Sequence, residues 1–310
     1  MNIQFITPFS RGFSRMKRAL FQPFDLKKWF VIGFTAWLAG LMDNSGGGNG
    51  GGKGDIDSFG DVLDLPYRAW EWLTENPAWF LLAGAIIFFV FFLIIVFSWL
   101  SSRGKFMFVD NIVRERALIA QPWRDYAKEG NSLFVWRLGF TIICLVIVIG
   151  FLYQVWRTTI DLYYGPFDEF IPWGFLIKMA FLFLFIILIL GYIDLLLSEF
   201  IVALMYKHRI TATQAWSRFL NLHWSHLLQF LAFGLFWLIL SIAAIIAVIT
   251  VSVAMCCIGI ILLIIPYINA VYLLPISYTF RAFSLEFLAQ FGPEYSVFAD
   301  NLESTTVVAG

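Results

Sequence analysis

Two carboxylates set in apolar sequence, Asp194 and Glu199 in LILGYIDLLLSEFIVALMY, are the residues of this chain best placed to do chemistry. A charge at the centre of a bilayer costs roughly 2.5–3.5 kcal/mol, so such groups commonly serve ion or proton paths or are paired. Lying five apart, they miss the i,i+4 spacing that makes helical neighbours and share a face poorly. Two readings follow. Either both line a polar cavity, or they pair with Arg103, Lys105 or Arg137 at the inner surface of a membrane.

The remaining reactive residue types form no recognisable catalytic set. His223 and His226 stand at i,i+3 in LHWSH, but two ligands with no carboxylate motif nearby do not complete a metal site. Cys144, Cys256 and Cys257 lie in or beside apolar runs and read as small core residues. There is no HExxH and no GxSxG. The chain is therefore expected to be no enzyme and to need no cofactor or metal.

A second group of residues repeats along the chain. TPFSRGFSRMKRALF (7–21), QPWRDYAKEG (121–130) and TATQAWSRFLNLHW (211–224) each open on a helix-start signal and set an aromatic close to an arginine. Thr7–Pro8 reads as a cap with proline at the first helical position, Pro122 can do the same, and Thr211 to Gln214 fits a capping box. The pairs are Phe9 with Arg11, Trp123 with Arg124, and Trp216 with Arg218. At a membrane surface the rings sit at headgroup level and the arginines meet anionic inner-leaflet lipid, each contributing about 1 kcal/mol. KFMFVDNIVRER and EFIVALMYKHR precede the second and third copies, with Phe106 and Phe200, and Trp123 and Trp216, 94 and 93 residues apart. The pattern predicts three units, each an amphipathic elbow helix followed by a helical hairpin.

The elements that would carry these residues are long apolar runs. The 310-residue chain is 60% hydrophobic and only 14% charged, against roughly a quarter charged in soluble domains. About 20 apolar residues of helix cross a bilayer, and the runs are continuous rather than alternating, so the fold class is an all-α integral membrane protein. Six spans are expected, near 27–43, 78–100, 133–154, 173–198, 227–251 and 257–280. The first is the shortest. The last two share a 62-residue stretch, Phe219 to Phe280, without a Lys, Arg, Asp or Glu, which must turn back near Ser252–Gly259. Pro266 and Pro275 are expected to kink the last helix.

Charge orients these spans. Six Lys or Arg precede the first span, seven run from Arg103 to Arg137, three from Lys207 to Arg218, and Arg281 follows the last, together 17 of 21. The intervening segments hold the other four and ten acids, so the positive-inside rule puts both termini in the cytoplasm. A net charge of zero gives no reason to expect nucleic acid. The partners expected are anionic inner-leaflet lipids and a protein partner or second copy.

The units divide at residues 1–100, 101–206 and 207–298, ahead of a tail at 299–310. An external loop at 44–60 contains seven glycines between Gly46 and Gly54, a composition of flexible coil rather than a phosphate cradle. DVLDLPYRAWEWL (61–73) has an acidic face and a Trp/Tyr face and is expected to lie on the outer interface.

Three stretches carry a family resemblance: RALFQPFDLKKWFVIGFTAWL, WLSSRGKFMFVDNIVRERALIAQPWRDYAKEGNSLFVWRLGF and YTFRAFSLEFLAQFGPEY. The chain resembles a family of uncharacterised bacterial multi-pass membrane proteins with a domain of unknown function, over most of residues 8–298. That family is loosely similar to the membrane domain attached to some glycerophosphodiester phosphodiesterases. The resemblance implies six helices in a bacterial inner membrane and supplies no activity. The function expected is non-enzymatic, organising membrane or docking a partner; a transporter using Asp194 and Glu199 is the alternative, and intramembrane lipid processing a distant third.

Overall fold

A computed structural model of the chain describes residues 3–43, 59–164, 172–254 and 265–298. Every described element is helical: α1 (Ile6–Phe21), α2 (Leu26–Gly40), α3 (Phe59–Glu75), α4 (Pro77–Val113), α5 (Ala120–Asp125), α6 (Ala127–Tyr163), α7 (Trp173–Leu196), a π-helical turn (Leu197–Ile201), α8 (Val202–His208), α9 (Ala212–Ser225), α10 (Leu227–Ala254), α11 (Pro266–Tyr272) and α12 (Leu274–Ala289). Most of the glycine-rich loop, Cys256 and Cys257, the turn expected near Ser252–Gly259 beyond Ala254, and the tail from 299 lie outside the described residues.

Among the described residues four helices are long and apolar enough to cross a membrane: 77–113, 127–163, 173–208 and 227–254. They run past the apolar limits read from sequence, because helix continues into polar residues at one or both ends. α2 has 15 residues, about 22 Å at 1.5 Å per residue, short of the roughly 30 Å of hydrocarbon. The last helix is broken at Leu273, with Pro266 at the first turn of α11 and Pro275 at the first turn of α12. The prolines thus start helices, where the missing N–H is not needed, rather than bend one from within.

The chain forms two compact units. One comprises residues 45–97 and 137–192, the other 1–44, 98–136 and 193–310. In the first unit α3 packs on the end of α6: the Trp156 indole donates to the Leu63 carbonyl at 3.0 Å, and Phe59 meets Tyr163 edge-on. Trp70 and Trp72 of α3 face outward. Large apolar side chains of α4, α6 and α7 here, such as Ile87, Phe88, Val146 and Phe181, are well over half exposed. This is the surface a helix presents to lipid.

The second unit holds the core. Phe200, Phe219, Phe230, Phe233, Phe283 and Phe287, from the π turn, α9, α10 and α12, are fully buried on one another, with Phe233 and Phe287 centroids 4.6 Å apart. α1 runs antiparallel to α12, from Gln4 against Gln290 to Gly12 against Ala282 and Phe283. A Cβ on Gly12 would lie 2.8 Å from the Phe283 amide nitrogen, and one on Gly104 2.7 Å from the Ala39 amide nitrogen. Only glycine allows those two helix pairs to approach so closely.

The helix-start signals fared unequally. Thr211 caps α9 with a complete capping box through Gln214. α1 instead begins at Ile6 after Phe5, and α5 begins at Ala120, so neither Thr7 nor Pro122 holds the position expected of it. In α1 the Thr7 hydroxyl turns back to the Gln4 side chain, which leaves the cap role empty of a side chain.

Candidate functional site

The second unit buries charge at several points, and each charge is paired. In α12, Glu286 is 1% exposed and accepts from Arg15 Nε at 2.6 Å, with Arg11 Nη1 3.8 Å away. Asp110 of α4, fully buried, accepts from Tyr206 Oη at 3.0 Å and lies within ion-pair reach of Arg114 and Arg116 at 3.1 and 2.7 Å. Glu129 faces Arg209 at 3.5 Å, whose guanidinium lies over the Tyr126 ring. A buried carboxylate needs such partners because isolated burial of an ion is prohibitive.

The most unusual arrangement sits at the π turn. There the Val202 amide bonds to Leu197, five residues back, so the turn carries one residue more than an α-helix and the side-chain faces shift. Arg281 of α12 uses Nη1 twice, donating to the Ser198 carbonyl and to Glu199 Oε2 at 3.2 Å. Lys105 of α4, 1% exposed, donates to the Ser198 hydroxyl at 2.9 Å and to Asp43 Oδ2 at 2.6 Å. Ser198 therefore joins two ion pairs, Asp43–Lys105 and Glu199–Arg281.

Asp43, Glu199 and Arg281 line a cavity of about 550 Å³ within this unit. α2, Phe108 of α4, α10, Leu273 and α12 supply the rest of its lining, which is apolar apart from Ser241, Ser277 and the Trp237 indole. That indole nitrogen is buried and has no hydrogen-bond acceptor among the described residues. The Ser241 hydroxyl is already committed to the Trp237 carbonyl at 2.8 Å.

Of the two carboxylates singled out in the sequence, only Glu199 belongs here. Asp194 is half-buried on α7, lies off the cavity wall, and makes no hydrogen bond or ion pair among the described residues. The two do not converge. Glu199 also takes Arg281 rather than Arg103, Lys105 or Arg137, since α12 packs on the π turn and Lys105 goes to Ser198 and Asp43. Arg103 instead lies over Trp99 and Trp123 and donates to Asn131. Asp43, Lys105, Ser198 and Arg281 were not picked out as a set by sequence reasoning. The available signal was that Arg281 ends the 62-residue uncharged stretch.

The aromatic and arginine residues of the three short helices are placed as follows. Phe9 meets Phe283 edge-on at 6.0 Å, and Arg11 is exposed but reaches toward Glu286. Trp123 packs edge-on against Trp99 at 5.6 Å, while Arg124 is exposed and donates to the Ala120 carbonyl. Trp216 stacks on Trp136 at 5.3 Å, and Arg218 is exposed. In each case the ring rests on the chain's own rings and the arginine is exposed, Arg11 while within reach of Glu286. His223 is buried among Phe219, Phe230 and Trp224, and burial lowers its pKa. Among the described residues no three His, Cys, Asp or Glu come together as a metal site.

A family of unknown function (DUF7544) has a model that matches residues 6–291. No curated protein and no solved structure matches the chain.

Proposed function

The chain belongs to that family of unknown function, and on this premise we propose that it is a non-enzymatic multi-pass protein of a bacterial cytoplasmic membrane, whose inner face organises anionic lipid or docks a partner. The observation that carries the reading is the common design of α1, α5 and α9. Each buries one face in the second unit and turns out arginine: Arg11 and Arg18, Arg124, and Arg218. Trp123 and Trp216 are held by ring contacts, so the cations are presented from a fixed frame. The proposal keeps both termini in the cytoplasm, following the lysine and arginine distribution, but not residues 27–43 as a full crossing: Asp43, just past the end of α2, pairs with Lys105, which that distribution places on the inner side. The distant likeness to a phosphodiesterase-linked membrane domain belongs to the same proposal, and a protein partner or second copy would use the same basic face.

Transport through an Asp194–Glu199 path has weaker support, because Asp194 is off the cavity wall and Glu199 is engaged by Arg281. The test is lipid selectivity in reconstituted bilayers, read by spin-labelled phosphatidylglycerol and phosphatidylcholine. The expected result is enrichment of the anionic lipid next to the protein, reduced by Arg11, Arg124 and Arg218→Gln together and by high salt. Equal association of both lipids, unchanged by the triple variant, would remove the anionic-lipid reading.

A further inference from the structure

The cavity at the π turn is built from two parts of opposite character. One part is charged: Asp43, Glu199 and Arg281, with Lys105 behind them. The other part is α10, which brings Ile245, Val248 and Ile249 to the lining as well as Trp237. Ile245 and Ile249 are more than half exposed on a 28-residue helix with no charged residue. The wall is thus continuous with surface that faces acyl chains. A volume of about 550 Å³ falls within the roughly 300–1,000 Å³ of small-ligand sites.

The polar residues carry both donors and acceptors. Arg281, 7% exposed at its side chain, spends only Nη1; its Nε and Nη2 donors have no partner among the described residues. The buried Trp237 indole N–H is a further donor without an acceptor. Against these stand acceptors: Glu199 Oε1, likewise without a donor among the described residues, and the Asp43 carboxylate, 39% exposed. Three free donors at Arg281 and one at Trp237 match the oxygens of a phosphate diester. The carboxylates match an ammonium that can donate hydrogen bonds. The four charged side chains sum to zero, so a zwitterion adds no net charge.

We propose that this cavity holds one membrane phospholipid with a phosphate–primary amine headgroup. The phosphate meets Arg281 and Trp237, the ammonium meets Glu199 and Asp43, and one acyl chain runs along α10. A purely anionic headgroup leaves the carboxylates opposed to it. A quaternary ammonium fits the space but cannot donate to Glu199. The inference is independent of the basic inner face, since none of Arg11, Arg124 or Arg218 lines the cavity.

The test is native mass spectrometry of the full chain, delipidated in mild detergent and offered equal amounts of phosphatidylethanolamine, phosphatidylcholine and phosphatidylglycerol. One phosphatidylethanolamine per chain is expected to survive in preference to the other two. Trp237→Phe, which keeps the ring and removes the N–H, is expected to weaken retention about tenfold, as loss of a hydrogen bond to a charged group does. Val248→Trp fills the acyl side and is expected to abolish it. If the filled variant fails to fold, Trp237→Phe decides. Equal retention of all three lipids, or retention unaltered by either folded variant, overturns the proposal.

Discussion

α4 contains two surfaces that differ in kind. Before Ser98 its large apolar side chains, from Trp79 to Phe97, are largely exposed; from Ser98 to Ile112 most residues are buried, Lys105, Asp110 and Asn111 among them. The stretch from Trp173 through Tyr206 repeats the contrast, with Phe181 and Phe185 exposed and residues 196–206 buried. In a soluble protein the apolar half would be the interior. Here the more apolar half faces outward and the half that carries the charges is packed. Lipid solvates the first for nothing, whereas buried ions persist only where partners surround them.

This contrast can be broken by matched substitutions. The largest effect is expected in the packed half: Glu286→Ala leaves Arg15 without its carboxylate and should cost about 3–5 kcal/mol, as breaking a buried pair does. Phe287→Ala, at 0% exposure, should cost a similar amount, about 3–5 kcal/mol, through the cavity it leaves. Phe88→Ala, at 73% exposure, should shift stability by no more than about 0.5 kcal/mol. Thermal unfolding in one mild detergent reads all three, and equal losses at Phe287 and Phe88 would dissolve the distinction.

Two glycines of α4 make the next comparison. Gly104→Ala forces a Cβ into the α2 backbone and should cost about 1–3 kcal/mol. Gly84→Ala meets nothing within 4 Å and should be neutral or stabilise by up to about 1 kcal/mol. Helix capping supplies a smaller effect: Thr211→Ala removes the α9 capping box and should lower stability by about 1 kcal/mol.

The smallest expected effect is that of pH at His223. Burial holds the folded pKa of its imidazole below the ordinary 6.5. The unfolded chain therefore takes up a proton before the folded one does. Stability contributed by the neutral ring is complete above about pH 7 and declines as pH falls through 6.5 toward the folded value. Unfolding temperatures at pH 7.5 and 5.5 should differ for the wild type by more than for His223→Leu. Identical pH slopes would show that the ring titrates as freely folded as unfolded.

Local signals were legible where their cause is local. The capping box at Thr211 and Gln214 needs only four consecutive residues and was read directly; α1 and α9 follow from aromatic and basic residues in an amphipathic pattern. The join with α6 was not legible: QPWRDYAKEG reads as one elbow helix, whereas the chain breaks at Tyr126 and Ala127 already begins α6, with Glu129 beside Arg209 and the Arg209 guanidinium over the Tyr126 ring. Of the candidate site, Glu199 was visible as a carboxylate in apolar sequence. Its company was not: Lys105 and Arg281 lie 93 and 82 residues from Ser198 and Glu199, the π turn that exposes the Ser198 carbonyl has no signature in LSEFI, and Asp194 carries the same local signal as Glu199 without joining the site.

The sequence alone determined that this chain is helical and built for a membrane. That follows from the free energy of apolar runs about 20 residues long, which depends on no neighbour. Only the tertiary structure decided which charges meet. Glu199 is an ion-pair partner and part of a cavity wall because α12 docks Arg281 against the π turn, and docking depends on side chains that are distant in the chain.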